Sequence, residues 1–251
     1  MQNNKDILKK ALLEIRSLKE RVRVAASHSE PAAIVGMACR LPGGITDTES
    51  CWKALWEGRD LISEVPEDRW NEYDKAAYFQ DERLRKGGFL TESIEDFDSR
   101  LFRMMPVEAA SIDPQQRLAL EVCWELLENA GIAPDSLKGK KVGVQNDFGH
   151  ENYMHENNDD VNLTGIDFSF LSGRISYFFG FSGPSVSIDT ACSSSAVAID
   201  TAIKDLRDHD CDMALVCGVN IMFSPETTKK IAGLGILSAD GEVRAFDKNA
   251  T

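Results

Sequence analysis

A mixed α/β fold, built on a largely parallel sheet covered by helices, is predicted by three features of the sequence. Short apolar runs at 33–38, 141–144, 185–189 and 212–218 have the length and flanking turn residues of strands. Segments between them carry apolar residues at helical spacing. Strands that alternate with helices are joined by crossovers, which favour parallel pairing and burial of both sheet faces. The chain has 251 residues, 43% of them apolar and 27% charged, an ordinary globular composition for one large or two small domains.

The first element is a helical arm. Leu8, Ala11, Ile15, Leu18, Val22 and Ala25 alternate three and four residues apart, as the a/d seam of a short coiled coil does. So short a helix needs a partner for its stripe, and self-pairing in parallel is the expected one. The polar segment Ser27-His28-Ser29-Glu30-Pro31 separates the arm from the body, so the chain divides into 1–28 and 29–251. Ala33-Ile34-Val35-Gly36-Met37-Ala38 reads as the first buried strand, ended by Pro42-Gly43-Gly44. Asp47 caps a helix that carries Trp52, Leu55 and Trp56 on one face and stops at Gly58. Residues 60–100 are turn-rich and give no clear element. Asp113-Pro114 starts a helix, with a capping carboxylate and Pro at the first helical position, and Gly131 closes it. Strands then follow at 141–144, 185–189 and 212–218, with a polar surface excursion at 145–165 and a helix at 193–208.

Charge narrows the function. Lys and Arg number 28 against 41 Asp and Glu, a net charge of −13. The arm, residues 1–25, has seven basic and three acidic residues, a net of +4, which leaves −17 on the rest. So acidic a body is not expected to bind nucleic acid or an anionic membrane surface. No stretch approaches the roughly 20 apolar residues of a membrane span, and the charged N-terminus does not resemble a signal peptide. Cys39, Cys51, Cys123, Cys192, Cys211 and Cys217 lack CxxC or Cys/His ligand spacing. Reduced thiols in a cytoplasmic protein are expected, with no disulfide framework and no zinc site.

The chemistry is expected at Cys192. The strand Val186-Ser187-Ile188-Asp189 runs into Thr190-Ala191-Cys192-Ser193-Ser194-Ser195, where a helix begins. Ala196, Ile199, Ala202, Ile203 and Leu206 form the stripe that buries that helix. A tight turn between strand and helix presents a side chain, and small neighbours leave room for an acyl group. The unpaired N–H groups of a first helical turn favour a thiolate and can hold an oxyanion. Taken alone, Cys192 reads equally well as an inert core thiol; its setting at the junction favours the nucleophile.

The segment Asp189-Thr190-Ala191-Cys192-Ser193-Ser194-Ser195 resembles the active-site signature of the β-ketoacyl synthase (ketosynthase) domains of modular type I polyketide synthases. Ile34 to Gly44 is similar to their first strand and loop, and Trp52 to Trp70 to their next helix and loop. Asp113-Pro114-Gln115-Gln116-Arg117 resembles their DPQQR motif, and Gly173-Arg174-Ile175-Ser176-Tyr177 their GRIS segment. These matches are ordered and span about residues 32–250. The resemblance implies a thiolase-like fold: two similar α/β halves stacked as five αβαβα layers, in a homodimer, this chain being the nucleophile-bearing first half. It implies that Cys192 takes an acyl chain from the phosphopantetheine arm of an acyl carrier protein, no cofactor being bound directly. Decarboxylative condensation with a malonyl-type extender would follow. The Cys192 backbone N–H would be an oxyanion donor, and Thr190, Ala191, Ser193 and Ser194 would shape the elbow. The arm, over residues 5–25, would dock the upstream synthase polypeptide.

The family's condensing site also draws two histidines and a lysine from the second half of the fold. His28, His150, His155 and His209 do not sit in the corresponding contexts. Condensation is therefore expected to need a carboxy-terminal half, and a non-catalytic docking fragment of a polyketide synthase is the alternative. Two wordings depart from the family. Leu101 to Pro106 replaces an FFGISP-like segment, and Gln145-Asn146-Asp147-Phe148 stands where small and apolar residues are commoner; the latter is expected to be a surface loop away from the nucleophile. The pair His150 and His155, five apart, does not share one helical face and is expected in a solvated loop. Cys211 and Cys217 are expected to be core thiols.

Overall fold

In a computed structural model, the described residues are 9–10, 12–19, 30–71, 73–148, 163–239, 241 and 243–248. The body is organised by three parallel strands, β3 (Val142–Phe148), β4 (Ser185–Ile188) and β5 (Met213–Val219), in the order β4-β3-β5. Ahead of this sheet lie α1 (Thr48–Glu57), β1 (Ser63–Glu64), α2 (Lys75–Tyr78), β2 (Lys86–Gly87), α3 (Pro106–Ala110) and α4 (Pro114–Asn129). Helices α5 (Leu163–Ile166) and α6 (Phe170–Phe179) connect β3 to β4, α7 (Ser194–Arg207) connects β4 to β5, and α8 (Pro225–Gly233) follows. Strands β1 and β2 pair as a separate antiparallel ribbon.

The central strand shows how the layers are sorted. Alternate residues of a strand face opposite sides. Val142 and Val144 enter the apolar core with Leu120 and Leu127 of α4 and Leu171 and Ile175 of α6. The intervening positions face α7, where Gln145 Nε2 donates to Asp205 and Asp147 accepts from Ser195. Helices α4 and α6 therefore cover one face of the sheet and α7 the other, so the predicted parallel, covered sheet is observed.

Two strand boundaries differ from the sequence reading. Residues 33–38 form no strand, and Ile34 is 81% exposed. The Met37 N–H instead donates to Asn129 Oδ1, and Gly36 lies so close to Leu126 and Ala130 that a Cβ there would collide. An apolar run states an appetite for burial but names no partner, and here its backbone rests on the end of α4. Conversely, Gln145-Asn146-Asp147-Phe148 is no surface loop. It continues β3, with Gln145 and Asn146 fully buried. Pairing on both sides by β4 and β5 holds it in the sheet, and polar groups of α7 and β4 meet its side chains.

The helix ends follow their capping chemistry. Asp47 accepts from the Ser50 N–H in a capping box, and Gly58 closes α1 in the left-handed conformation. Only Ala54 of this helix is buried, and Trp52 and Trp56 lie exposed against each other. Helix α4 is the opposite case, because its first turn is polar and buried. Asp113, Gln115, Gln116 and Arg117 are each under 5% exposed. Buried polar groups cost least where hydrogen bonds meet them. Gln116 Nε2 donates to Gly165 O at 3.0 Å, and its Oε1 accepts from Arg174 Nε of α6 at 2.7 Å. Gln115 Oε1 accepts from the Ile221 N–H beyond β5, and Arg117 Nη1 donates to Glu95 O. The Asp113 carboxylate accepts from the Gln115 N–H, while its own N–H donates to Gly165 O. One helical turn thus ties the 94–98 loop, α5 with Asp167 after it, α6 and the segment after β5.

Two outcomes follow from this turn. Gln116→Leu removes the acceptor of Arg174 Nε and one donor from the Thr164, Gly165 and Asp167 carbonyls, of which Thr164 O keeps Arg174 and Gly165 O keeps the Asp113 N–H. It is expected to cost about 2–4 kcal/mol in urea unfolding. Burial pushes the Asp113 carboxyl up to about 7, although the Gln115 hydrogen bonds and Arg117 pull it down. The folded state then holds this proton more tightly than the unfolded state does. Its contribution is fully present below the unfolded value near 4 and is lost as pH rises to about 7. Asp113→Asn keeps a capping side chain and should flatten that part of the stability–pH curve, measured by denaturation at several pH values.

Candidate active site

The parallel strands end together. Asp147 of β3 lies beside Ile188 of β4 and Gly218 of β5, so the three carboxyl ends form one edge. In open α/β sheets ligands gather outside this edge. Just past Ile188, the chain makes a 3₁₀ turn, Ala191–Ser193, and enters α7 at Ser194. Cys192 sits in that turn with its side chain exposed. The strand–turn–helix arrangement read from the sequence is therefore present.

The turn is held by its small polar neighbours. Ala191 has φ +58°, the left-handed region that costs a residue with a Cβ about 1–2 kcal/mol. Hydrogen bonds on both sides enforce it. The Ala191 N–H donates to Asp189 Oδ1, and Ser194 Oγ accepts from the Thr190 N–H while donating to Ala191 O. Ser193 Oγ donates to Thr190 O and meets Thr190 Oγ1 at 2.9 Å. Ser194 is buried, 1% exposed, so its hydroxyl acts from beneath the turn and not on a ligand. Thr190, Ala191, Ser193 and Ser194 are all brought around Cys192 in this way.

The sequence reading missed Asp147 and Ser195. Ser195 Oγ, in the first turn of α7, donates to Asp147 Oδ2 at 2.8 Å. A Cβ at Gly218 would come within 2.6 Å of Ser195 Oγ, so the glycine is what lets helix and strand approach there. The polar wording after Val144 was the available signal, and it marks the strand end that supports the elbow. His150 and His155 lie outside the described residues, and so do Leu8, Ala11, Val22 and Ala25 of the arm. Among the described residues no cluster of His, Cys, Asp or Glu could hold a metal, and no helix is long and apolar enough to cross a membrane. A cavity of about 550 Å³ beside α4 is lined by Leu90, Ile94, Phe97, Leu118, Glu121 and Ile221, among others, and does not include Cys192.

Residues 29–251 match the family model of the β-ketoacyl synthase N-terminal domain. The chain belongs to the β-ketoacyl synthase family. Its relatives include modular polyketide synthases. Erythronolide synthase EryA2 of Saccharopolyspora erythraea is 40% identical over 255 residues, 98% of this chain and 7% of that protein. Mycoketide-CoA synthase of Mycobacterium tuberculosis is 39% identical over 256 residues, 98% of this chain and 6% of that one. Among solved structures, a mutant form of the ketosynthase from module 6 of the bacillaene synthase of Bacillus subtilis superposes with a TM-score of 0.77 at 37% identity. That match covers 86% of this chain and 37% of the other. The oxazolomycin ketosynthase domain of Streptomyces albus gives 0.77 at 37% identity, covering 86% and 39%. The fold is therefore thiolase-like, and this chain spans well under half of the ketosynthases it matches.

The left-handed residue offers a direct test of the elbow. Ala191→Gly is expected to fold without loss, whereas Ala191→Val places a β-branched side chain at φ +58° and should destabilise the chain by about 1–3 kcal/mol in urea unfolding.

Proposed function

We propose that this chain is the nucleophile-bearing half of a polyketide-synthase ketosynthase, and that Cys192 is its acyl acceptor. The observation that carries the reading is the exposed Cys192 in a tight turn between β4 and α7, fixed by a left-handed Ala191. In this reading an acyl carrier protein presents a thioester on its phosphopantetheine arm. The Cys192 thiolate attacks the carbonyl carbon, the carbonyl oxygen becomes an oxyanion held by the Cys192 backbone N–H, and the pantetheine thiolate leaves. Thr190, Ser193 and Ser194 hold the turn in place and transfer no proton. Condensation with a malonyl-type extender then needs stabilisation of the enolate left by decarboxylation. The family draws those groups from a carboxy-terminal half, so that half is proposed as a partner for the second step.

The arm fits a place in the assembly. Its described residues are helical, and Ile15 and Leu18 of the predicted seam are about half exposed, at 49% and 50%. Pairing of two arms in a homodimer would cover them and would offer a basic surface to an upstream synthase polypeptide.

The test is acylation of the purified chain by a simple acyl thioester, read by intact mass and peptide mapping beside Cys192→Ala. A single adduct on Cys192, absent from the variant, is the expected result. A folded chain that takes no adduct, or takes it on another cysteine, would remove the acyl-acceptor role.

A further inference from the structure

The hydrogen bonds among Asp189, Thr190, Ala191, Ser193 and Ser194 are local. Each joins two residues of 189–194, so together they fix the shape of the turn that carries Cys192. A bond of another kind leaves the segment. Ser195, the second residue of α7, donates its hydroxyl to Asp147 Oδ2 at 2.8 Å, from 48 positions away in the chain. Asp147 stands at the carboxyl end of β3, in register with Ile188 of β4 and Gly218 of β5. Gly218 supplies the clearance: a Cβ there would meet Ser195 Oγ at 2.6 Å and would lie 3.7 Å from Asp147 Oδ2. The first turn of α7 is thus seated against the ends of two strands that do not themselves lead into Cys192. Asp147 belongs to the stretch Gln145-Asn146-Asp147-Phe148, which departs from the family's wording, so this bond arises from the chain's own sequence.

We propose that Asp147 is a positioning residue for acyl transfer at Cys192, acting through Ser195, a role that rests on Cys192 being the acyl acceptor. An oxyanion donor works only from hydrogen-bonding distance of the point where charge develops, and misplacing it by an ångström is costly. The donor assigned to this site is the Cys192 N–H, three residues before Ser195, in the 3₁₀ turn that runs directly into α7. Holding Ser195 against β3 sets how far that N–H projects past the strand ends. Asp147 needs no contact with the thiol or the substrate to do this. Ser195 is exposed and Asp147 half-buried, so water competes for both partners and the turn can form without their bond. Its effect falls on acyl transfer more than on folding.

The experiment compares two reactions of Cys192, each followed by peptide mapping on chains whose urea unfolding curves show them folded. One is acylation by a simple acyl thioester, taken as the limiting rate at saturating thioester. The other is alkylation by iodoacetamide, in which the sulfur displaces iodide at carbon and no oxyanion forms. Asp147→Ala and Ser195→Ala are each expected to slow acylation about tenfold without slowing alkylation. The double variant is expected to be no slower than either single one, because both remove the same bond. Asp147→Asn, whose amide oxygen can accept from Ser195, is expected to recover most of the rate. The proposal is overturned if the single variants acylate at the unmutated rate, if alkylation falls to the same degree, or if Asp147→Asn is as slow as Asp147→Ala. An unmutated chain that is alkylated at Cys192 but takes no acyl group would remove the acyl-acceptor role, and the positioning role with it. A defect confined to the variants leaves the acyl-acceptor role standing.

Discussion

The contact between Gln116 and Arg174 is the constraint on which the rest of this body depends. A glutamine in the first turn of a buried helix has two donors and an acceptor that water cannot reach. Here the acceptor takes Arg174 of α6 and the amide group donates to the Gly165 carbonyl of α5. Arg174 in turn donates to Thr164 O. Two segments that look unrelated in sequence, around 113–117 and 173–177, are therefore one buried network. In a low-dielectric interior such a network is worth most when complete and is costly when broken. It sets where α6 lies, and α6 in turn packs on β3 and on β4, the strand that delivers Cys192.

Much of this arrangement was legible in the sequence because its signals are local. Asp47 with Gly58, and Asp113-Pro114 with Gly131, bracket their helices by capping chemistry that needs no tertiary partner. The apolar runs at 141–144, 185–189 and 212–218 became strands because each finds a neighbour within the described chain. The run at 33–38 has a similar apolar composition and did not, since pairing is a property of two segments and composition belongs to one. The polar stretch 145–148 misled in the opposite sense. Strand membership there is imposed by neighbours on both sides, and Gln145 Nε2 and Asn146 Oδ1 find partners 60 and 41 positions away, which no local pattern announces.

The candidate site divides along the same line. Cys192, its turn and the small residues around it could be read from seven consecutive letters. The support beneath the turn could not, because Asp147 and Gly218 come from two other strands. The exposed Trp52, Leu55 and Trp56 face of α1 belongs to neither group: it is apolar, amphipathic in spacing and uncovered among the described residues.

The alternation along β3 also guards against misassembly. Val142 and Val144 face an apolar layer, while Gln145 and Asp147 face a helix that offers Asp205 and Ser195. A slip of one residue against β4 and β5 would reverse every side chain. It would drive the Asp147 carboxylate into the hydrocarbon core and set the valines against polar partners. Each mispaired state therefore carries a desolvation penalty of its own, even where backbone hydrogen bonding is fully restored. The central strand thus resists a one-residue slip, and the turn that carries Cys192 inherits that positional accuracy from it.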